Sequence, residues 1–343
     1  MAGFDFVQPM LEAAVSKGVF PAGAAAWGVQ GRAVEIRCAG QARPDTRFDL
    51  ASLSKVLGPG MLALRGLQQG ELTLEDTVAD FLPAPPDKAG ITLRQLLTHT
   101  AGLIPFYPIY EELSDPSRAL ESIFGRPLAS EPGGAPAYSC IGFILLGKLL
   151  EALYGSPLDV LAREKVFVPL GMRDTGYRPL NDAIETAAES FAPTEVDPAT
   201  GAAWQGVVHD ENARFLGGAA GNAGIFSTVR DMAKFAAMLA CGGDGFLSPA
   251  TLRAATVNHT PGCAERRGLS FQLASAGTFF GDLFPEASFG HAGFTGASMA
   301  VDPTTGFFAV LLTNRVHPTR DNASHTRFRR IFHNRLYAAF SGT

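Results

Sequence analysis

"FDLASLSKVLG", residues 48–58, sets two serines and a lysine in one short apolar run, in a chain of 343 residues that holds only six lysines. Ser52 and Lys55 stand three residues apart. If a helix starts near Ser52, positions i and i+3 share a face, which brings Lys55 Nζ within hydrogen-bond reach of Ser52 Oγ. An amine beside a hydroxyl is one way to activate a nucleophile, and a helix start offers backbone N–H groups to a developing negative charge. The same spacing also arises on the solvated face of an ordinary helix. The rest of the chain has to decide between the two. Pro59, in "GPG" (58–60), removes the N–H that would bond the Lys55 carbonyl and predicts a kink there.

A chain of this length holds one large domain or two ordinary ones and can bury a full core. Aliphatic and aromatic residues make up 46% of it, which excludes a disordered chain. The net charge of −5 is spread along the sequence, with "RFRR" (327–330) the one short basic run, so nucleic acid is not an expected partner. The N-terminal "MAGFDFVQPMLEAAVSKG" lacks the basic start and apolar core of a secretory leader. Apolar runs such as "FFAVLL" (307–312) fall far short of the ~20 residues a membrane span needs. Cys38, Cys140, Cys241 and Cys263 are widely spaced, without CxxC pairs, and read as reduced thiols rather than a disulfide frame or zinc site. These features lead us to expect a cytoplasmic protein that needs no metal or other cofactor.

The hydrophobic patterning predicts a helix over 4–17, then two strands about a turn at Gln30-Gly31, where Val34, Ile36 and Cys38 alternate with charged residues. From 53 to about 215 the signals are mostly helical: "MLALRGLQQG", "TVADFLP", "LRQLLTH", "SRALESIFG" and "IGFILLGKLLEALYG", separated by Pro- and Gly-rich loops. After the glycine-rich "FLGGAAGNAGIFS" the chain reads as a helix at about 228–240. Strand-like runs follow in "LSFQLAS", "ASFGHAGF", "ASMAVDP" and "GFFAVLLTN", and then a last helix at about 322–340. Strands at both ends with helices between predict an α/β protein of the α+β type. Its antiparallel sheet is built from both termini and flanked by helices. We place the sheet domain at 1–58 and 215–343, the inserted helical domain at 59–214, and the functional cleft between them.

Two further stretches carry candidate chemistry. In "GGAPAYSCIGFILLGKLLEALYG" (133–155) the helix after Ser139 is apolar nearly all round and so belongs in a core. Tyr138 at its entrance either packs as a staple or projects a phenol into a cleft. In "SFGHAGFTGASMAVDP" (288–303), Gly293 and Gly296 bracket Phe294 and Thr295, with His291 just before. Glycine in a strand marks close approach by a ligand or another backbone, and such an edge can lend an N–H to an oxyanion.

Ser52-x-x-Lys55, Tyr138-Ser139-Cys140 and His291-Ala292-Gly293, in that order, resemble the three motifs of the serine β-lactamase and penicillin-binding protein superfamily. The likeness is greatest to its class C β-lactamase-like branch, which includes family VIII carboxylesterases and D-Ala-D-Ala carboxypeptidase-like hydrolases. "LLTHTAGL" (96–103), "VVHDENARFLGGAAGNAGIFS" (207–227) and "GHAGFTGAS" (290–298) resemble stretches of the same branch, and the similarity runs from about residue 10 to 335.

The resemblance implies a β-lactamase/transpeptidase-like fold and an acyl-enzyme mechanism. Ser52 would be the acylated nucleophile. Lys55 would serve as base if burial lowered its pKa from the usual ~10.4, and Tyr138 would share the proton relay. The backbone N–H groups of Ser52 and Phe294 would form the oxyanion hole. Cys140, His291 and Gly293 would touch substrate. Two departures from the family pattern bear on substrate. His291 stands where many members have lysine, and a histidine of pKa ~6.5 is mostly neutral at pH 7.5. Cys140, a weak donor, stands where asparagine often binds a substrate amide.

These departures lead us to expect a hydrolase of small-molecule carboxylic esters with short-chain or apolar acyl groups. The alternatives are a D-Ala-D-Ala carboxypeptidase, a muropeptide hydrolase or a weak β-lactamase on amide substrates, an acyltransferase, and a non-catalytic sensor domain that keeps the fold. We read His99 as a structural hydrogen-bonding residue at a helix end, and "VHDENA" (208–213) as a loop-bracing network. Phe106, Tyr107, Tyr110 and Trp204 either wall an apolar acyl pocket or pack in the core.

Overall fold

The small-residue run AGAAAWGV at 22–29 forms an inner strand of the main sheet and is buried on both faces. In the computed structural model, which describes residues 2–30, 34–178 and 188–342, Ala24 and Ala26 point into one core and Ala25 and Trp27 into the other. This alternation is the two-residue period of a strand. The strands in chain order are β1 (Ala22–Val29), β2 (Glu35–Gly40), β3 (Phe48–Asp49), β4 (Gly176–Tyr177), β5 (Ile225–Ser227), β6 (Gln272–Leu273), β7 (Phe289–Ala292), β8 (Ser298–Asp302) and β9 (Phe307–Thr313). Six of them form the main sheet in the order β2-β1-β9-β8-β7-β6, with every neighbouring pair antiparallel. The N-terminal hairpin thus pairs directly with the last strand, Ala24 opposite Leu312 and Trp27 opposite Ala309. A small second sheet, β3-β5-β4, ties the segment before Ser52 to the strand that follows the glycine-rich run.

Helices cover both faces of the main sheet. Val7–Ser16 and Ser324–Ser341 lie on one side, where Val7, Leu11, Phe332 and Leu336 pack with Trp27, Phe307 and Leu311. Val229–Ala240 lies on the other, its Val229, Met232, Phe235 and Ala236 packed with Ala24, Ala26, Phe308, Val310 and Leu312. That second core continues into the inserted helices through Leu62, Leu96, Leu145 and Leu149. Each such fully buried side chain removes enough apolar surface from water to contribute about 1.5–3 kcal/mol. The antiparallel sheet from both termini, the flanking helices and the mostly helical insertion match the expected fold.

Local differences have local causes. "TVADFLP" yields only a 3-10 turn, Val78–Asp80, closed by a capping box between Thr77 and Asp80 and followed by Pro83. Pro59 does not break its helix. Leu53–Lys55 runs through a π turn, Val56–Gly60, into Met61–Gln69, and the Met61 N–H reaches back to Val56 O. The wider π register absorbs the missing N–H. The expected turn at Gln30-Gly31 falls partly outside the described residues. No single helix among the described residues is long and apolar enough to cross a membrane. The apolar Cys140–Tyr154 is a core helix, as its pattern predicted.

The C-terminal helix contributes two buried histidines, His325 bonded to Thr313 Oγ1 and His333 to Ser298 Oγ, each at 3.0 Å. Burial and the neighbouring Arg329 push His333 down to about 3, and burial likewise holds His325 well below the usual value. Both are neutral in the fold and titrate near 6.5 when unfolded. Because the folded values are depressed, their contribution is fully present above about pH 6.5 and is lost as pH falls. A histidine held neutral throughout should cost about 2 kcal/mol between pH 7.5 and pH 5. Urea unfolding at a series of pH values should show this slope, and His333→Gln should make it shallower; equal slopes in the two proteins would contradict the assignment.

Candidate active site

Ser52 immediately precedes the short helix Leu53–Lys55, and the turn closes by i to i+3 bonds, including Lys55 N–H to Ser52 O at 3.1 Å. Just before it, Ala51 adopts a left-handed φ of 45°, a strained conformation for a residue with a Cβ. Asp49 holds it there, its Oδ1 accepting the Ala51 N–H at 2.8 Å. The turn directs Ser52 Oγ toward Lys55 Nζ, which donates to it at 3.0 Å. Lys55 is fully buried and also donates to Asn222 O at 3.0 Å and lies 3.5 Å from Cys140 Sγ. The Asn222 carbonyl is aimed by the glycine-rich run. There Gly221 packs so tightly on the helix Cys140–Tyr154 that a Cβ would lie 1.8 Å from Phe143 O. Ser54 faces the other way, buried, with its Oγ accepting the Ile225 N–H at 3.1 Å.

A base role for Lys55 required a lowered pKa, and that condition is not met. Burial does act in that direction and is the largest single influence. The interactions of Lys55 with Cys140 and Tyr138, with the Asp210 carboxylate behind them, outweigh burial and raise the ammonium above the ordinary lysine value. Lys55 therefore enters the site as a cation.

Tyr138 stands at the entrance of the helix Cys140–Tyr154, whose N-cap is Ser139, its Oγ accepting the Gly142 N–H at 2.9 Å. Its ring lies under the Lys55 ammonium, 5.0 Å from the ring centre, and beside the Arg267 guanidinium at 5.2 Å. Tyr138 Oη is buried and has no hydrogen bond of good geometry among the described residues, though Lys55 is near enough to interact with it. His99, with a left-handed φ of 60°, follows the helix Leu93–Leu97, and its ring packs 4.5 Å from that of Tyr138. His99 Nδ1 accepts the Ser139 N–H at 3.0 Å. Burial, then Arg267 and Lys55, keep this imidazole neutral. His99 thus sets the Tyr138 segment in place.

His291 lies on β7 with its ring 5.9 Å from that of Tyr138. Its Nδ1–H donates to Ala292 O at 2.9 Å, which leaves Nε2 as an acceptor. Burial, then Arg267 and Lys55, hold it well below the usual histidine range, so it is fully neutral at neutral pH rather than partly charged. Gly293 starts the β7–β8 turn pressed against the segment before Ser52; a Cβ there would lie 2.3 Å from Leu50 O. Thr295 Oγ1 donates to Asp49 O at 2.6 Å and fastens the turn to the same segment. The N–H groups of Ser52 and Phe294 donate to no group among the described residues.

These residues line one cleft of about 560 Å³, to which Ser52, Phe106, Tyr138, Cys140, His291 and Phe294 contribute. The 208–211 loop forms a polar wall braced as expected. His209 Nε2 meets Glu195 at 2.7 Å, Arg320 bridges Glu195 and Glu211, and Asp210 accepts from Asn222 and from the Ala213 N–H. Phe106 faces the cleft, whereas Tyr107 is buried with its hydroxyl on Ser122, and Trp204 stacks on Arg214. Tyr107 and Trp204 therefore belong to packing.

Sequence reasoning missed several cleft residues, among them Arg320 of the polar wall and the arginines Arg267 and Arg329. Arg267 is 3% exposed; it pairs with Glu265, yet its Nε and Nη1 have no hydrogen-bond partner among the described residues. Arg329, half-buried on the last helix, donates Nη1 to the carbonyls of Gly293 and Ala297, and its Nε has no hydrogen-bond partner among the described residues. Burial pushes it down to about 10. The lysine absent at 291 is thus matched by two guanidiniums nearby, from elements that no local signal joins.

Comparison with known proteins agrees with this geometry. In sequence the chain is 29% identical over 313 residues to the "Putative D-alanyl-D-alanine carboxypeptidase" of Escherichia coli (strain K12), covering 81% of this chain and 71% of that protein. In structure it is similar to EstCE1, described as a hydrolase with promiscuous acyltransferase activity (TM-score 0.79, 23% identity, 98% of both chains). It is also similar to a penicillin-binding protein homologue from Caulobacter crescentus (TM-score 0.76, 21% identity, 99% and 98% of the two chains). Both structural likenesses concern the fold. A family model described as Beta-lactamase matches residues 7–334, nearly the whole chain, and the protein belongs to that family of serine hydrolases.

Proposed function

We propose that the protein hydrolyses carboxylic esters through a covalent acyl-enzyme on Ser52. The observation that carries this reading is Lys55 Nζ at 3.0 Å from Ser52 Oγ, beneath a cleft where two backbone N–H groups have no partner among the described residues. In the reactive state Lys55 is an ammonium and Tyr138 a phenolate, each stabilising the other. As Ser52 Oγ attacks the ester carbonyl carbon, its proton passes to Tyr138 Oη. The carbonyl oxygen becomes an oxyanion held by the N–H groups of Ser52 and Phe294. Tyr138 then returns the proton to the leaving alkoxide as the C–O bond breaks. Water enters by the reverse route and releases the acid. Each oxyanion donor typically contributes about 3–4 kcal/mol to such a step.

Esters are favoured over amides and β-lactams because Cys140 offers a substrate amide only a weak partner and neutral His291 gives a carboxylate no charge. An unpartnered amide or carboxylate costs about 1–3 kcal/mol. One observation favours a second reading, a D-alanyl peptidase or β-lactam hydrolase. Arg267 and Arg329 have unused donors beside the cleft and would suit a substrate carboxylate. The names of the E. coli relative and the Caulobacter homologue point the same way.

Fluorophosphonate labelling tests the nucleophile: Ser52→Ala should abolish it, and Ser54→Ala should keep it at some cost in stability. Labelling that survives in the first variant and vanishes in the second would refute the assignment. Lys55→Ala and Tyr138→Phe should each lower kcat roughly 10²-fold or more, with the double variant little worse than either, since both act on one proton. Near-full turnover in Tyr138→Phe would reduce Tyr138 to packing. Finally, nitrophenyl esters should be cleaved at least about a hundred-fold faster than a chromogenic cephalosporin or D-Ala-D-Ala peptides. The opposite order would favour the second reading.

A further inference from the structure

Among the described residues only two aromatic side chains are exposed, Phe106 at 49% and Phe294 at 50%, and both line the cleft that holds Ser52. They come from sequence-distant elements, Phe106 from the inserted region and Phe294 from the β7–β8 turn. Small residues such as Ala51, Ala223 and Ala292 line the cleft beside them, and His209, Asp210, Glu211 and Arg320 form its charged wall. The two most exposed aromatic rings among the described residues therefore both stand beside the nucleophile.

Phe294 is also held still. The Arg315 guanidinium lies over its ring at 4.4 Å, while Arg315 Nε donates to Phe294 O at 2.7 Å. Arg315 is itself anchored, its Nη1 donating to the carbonyls of Arg320 at 3.2 Å and Asn322 at 3.1 Å. The His209 ring is stacked with that of Phe294, centroids 5.8 Å apart and planes 24° apart, and His209 is fixed by Glu195. An exposed phenyl ring on a turn would ordinarily sample several rotamers and fold onto apolar surface. Here a cation, an imidazole and a backbone hydrogen bond keep it upright in the cleft. A pre-positioned ring gives up little conformational entropy when a ligand packs on it.

We propose that Phe294, clamped by Arg315 and His209, forms with Phe106 an apolar subsite that takes an aryl group of the ester substrate. The proposal rests on the ester-hydrolase reading and narrows its substrate class. An aryl group suits this subsite better than a long alkyl chain, because its two most exposed apolar side chains are both rings, which offer a flat aromatic partner their faces and edges. Phe294 then has two separate functions: its N–H faces the oxyanion, and its ring holds the substrate. Replacing the side chain leaves the N–H in place, so the two can be separated.

The test compares phenylacetyl and acetyl nitrophenyl esters, and benzyl and methyl acetates, which place the aryl group on the acyl and alcohol sides in turn. In the wild-type protein one aryl member should exceed its partner in kcat/KM by about ten- to a hundred-fold, the range for burying one phenyl group. Phe294→Ala and Phe106→Ala should each reduce that ratio by about ten-fold, and Arg315→Gln by a smaller factor. An unchanged ratio in both phenylalanine variants, or no aryl preference in the wild type, overturns the subsite. Binding of benzyl acetate to Ser52→Ala protein, followed by ligand-observed NMR, reads the subsite without turnover. Binding that is lost on adding Phe294→Ala supports the subsite even if no ester is hydrolysed, an outcome that would defeat only the catalytic reading. Absence of binding in Ser52→Ala overturns it.

Discussion

The Lys55 ammonium is wholly buried and touches no carboxylate among the described residues. Taking such a charge out of water costs several kcal/mol unless other groups replace its hydration. Here the replacement is assembled from three distant segments: Ser52 Oγ from the same turn, Asn222 O from the glycine-rich run, and Cys140 Sγ and the Tyr138 ring from the entrance of the central helix. Much of the local architecture follows from that requirement. The close approach at Gly221 brings a carbonyl to Nζ, and Ser139 and His99 fix the helix entrance that carries Tyr138 and Cys140. Displace any one of these and the ammonium loses a partner in a place water does not reach.

Asp49 has a matching part on the backbone side. One carboxylate oxygen holds the strained Ala51, the other accepts the His209 N–H at 2.7 Å, and its carbonyl accepts Thr295 Oγ1. A single buried residue thus registers the nucleophile turn, the polar wall and the β7–β8 turn against one another. Two N–H groups from different segments face one cleft as a result. The same contact puts the Phe294 ring beside the site.

The charge pattern of the cleft separates cations from neutral bases. His99 and His291 are kept neutral by burial and by the surrounding cations Lys55 and Arg267. Lys55 is kept charged despite its burial because its interactions with Cys140, Tyr138 and Asp210 outweigh desolvation. Histidines and a lysine in one low-dielectric pocket therefore resolve in opposite directions. The sign depends on which neighbours each one has, not on how deeply it lies.

The sequence by itself determined what local periodicity and spacing encode. The two-residue alternation from Val34 to Cys38 and the apolar run after Ser139 marked strand and core helix. The i, i+3 relation placed Ser52 and Lys55 together because a single helical turn suffices to do so. The order of the Ser–Lys, Tyr and His–Ala–Gly motifs indicated the family, and with it the fold. Tertiary structure decided everything that rests on contacts between remote segments. Asn222 reaches Lys55 across 167 positions of sequence, and Arg267 and Arg329 enter the cleft only because the sheet closes from both termini. Tyr107 and Trp204, indistinguishable from Phe106 in composition and loop setting, were sorted into packing by their neighbours. The rise in the Lys55 pKa was likewise not legible, since burial, which sequence does suggest, acts against it. Solvation and charge balance are sums over three-dimensional neighbours, and a linear pattern records only the nearest of them.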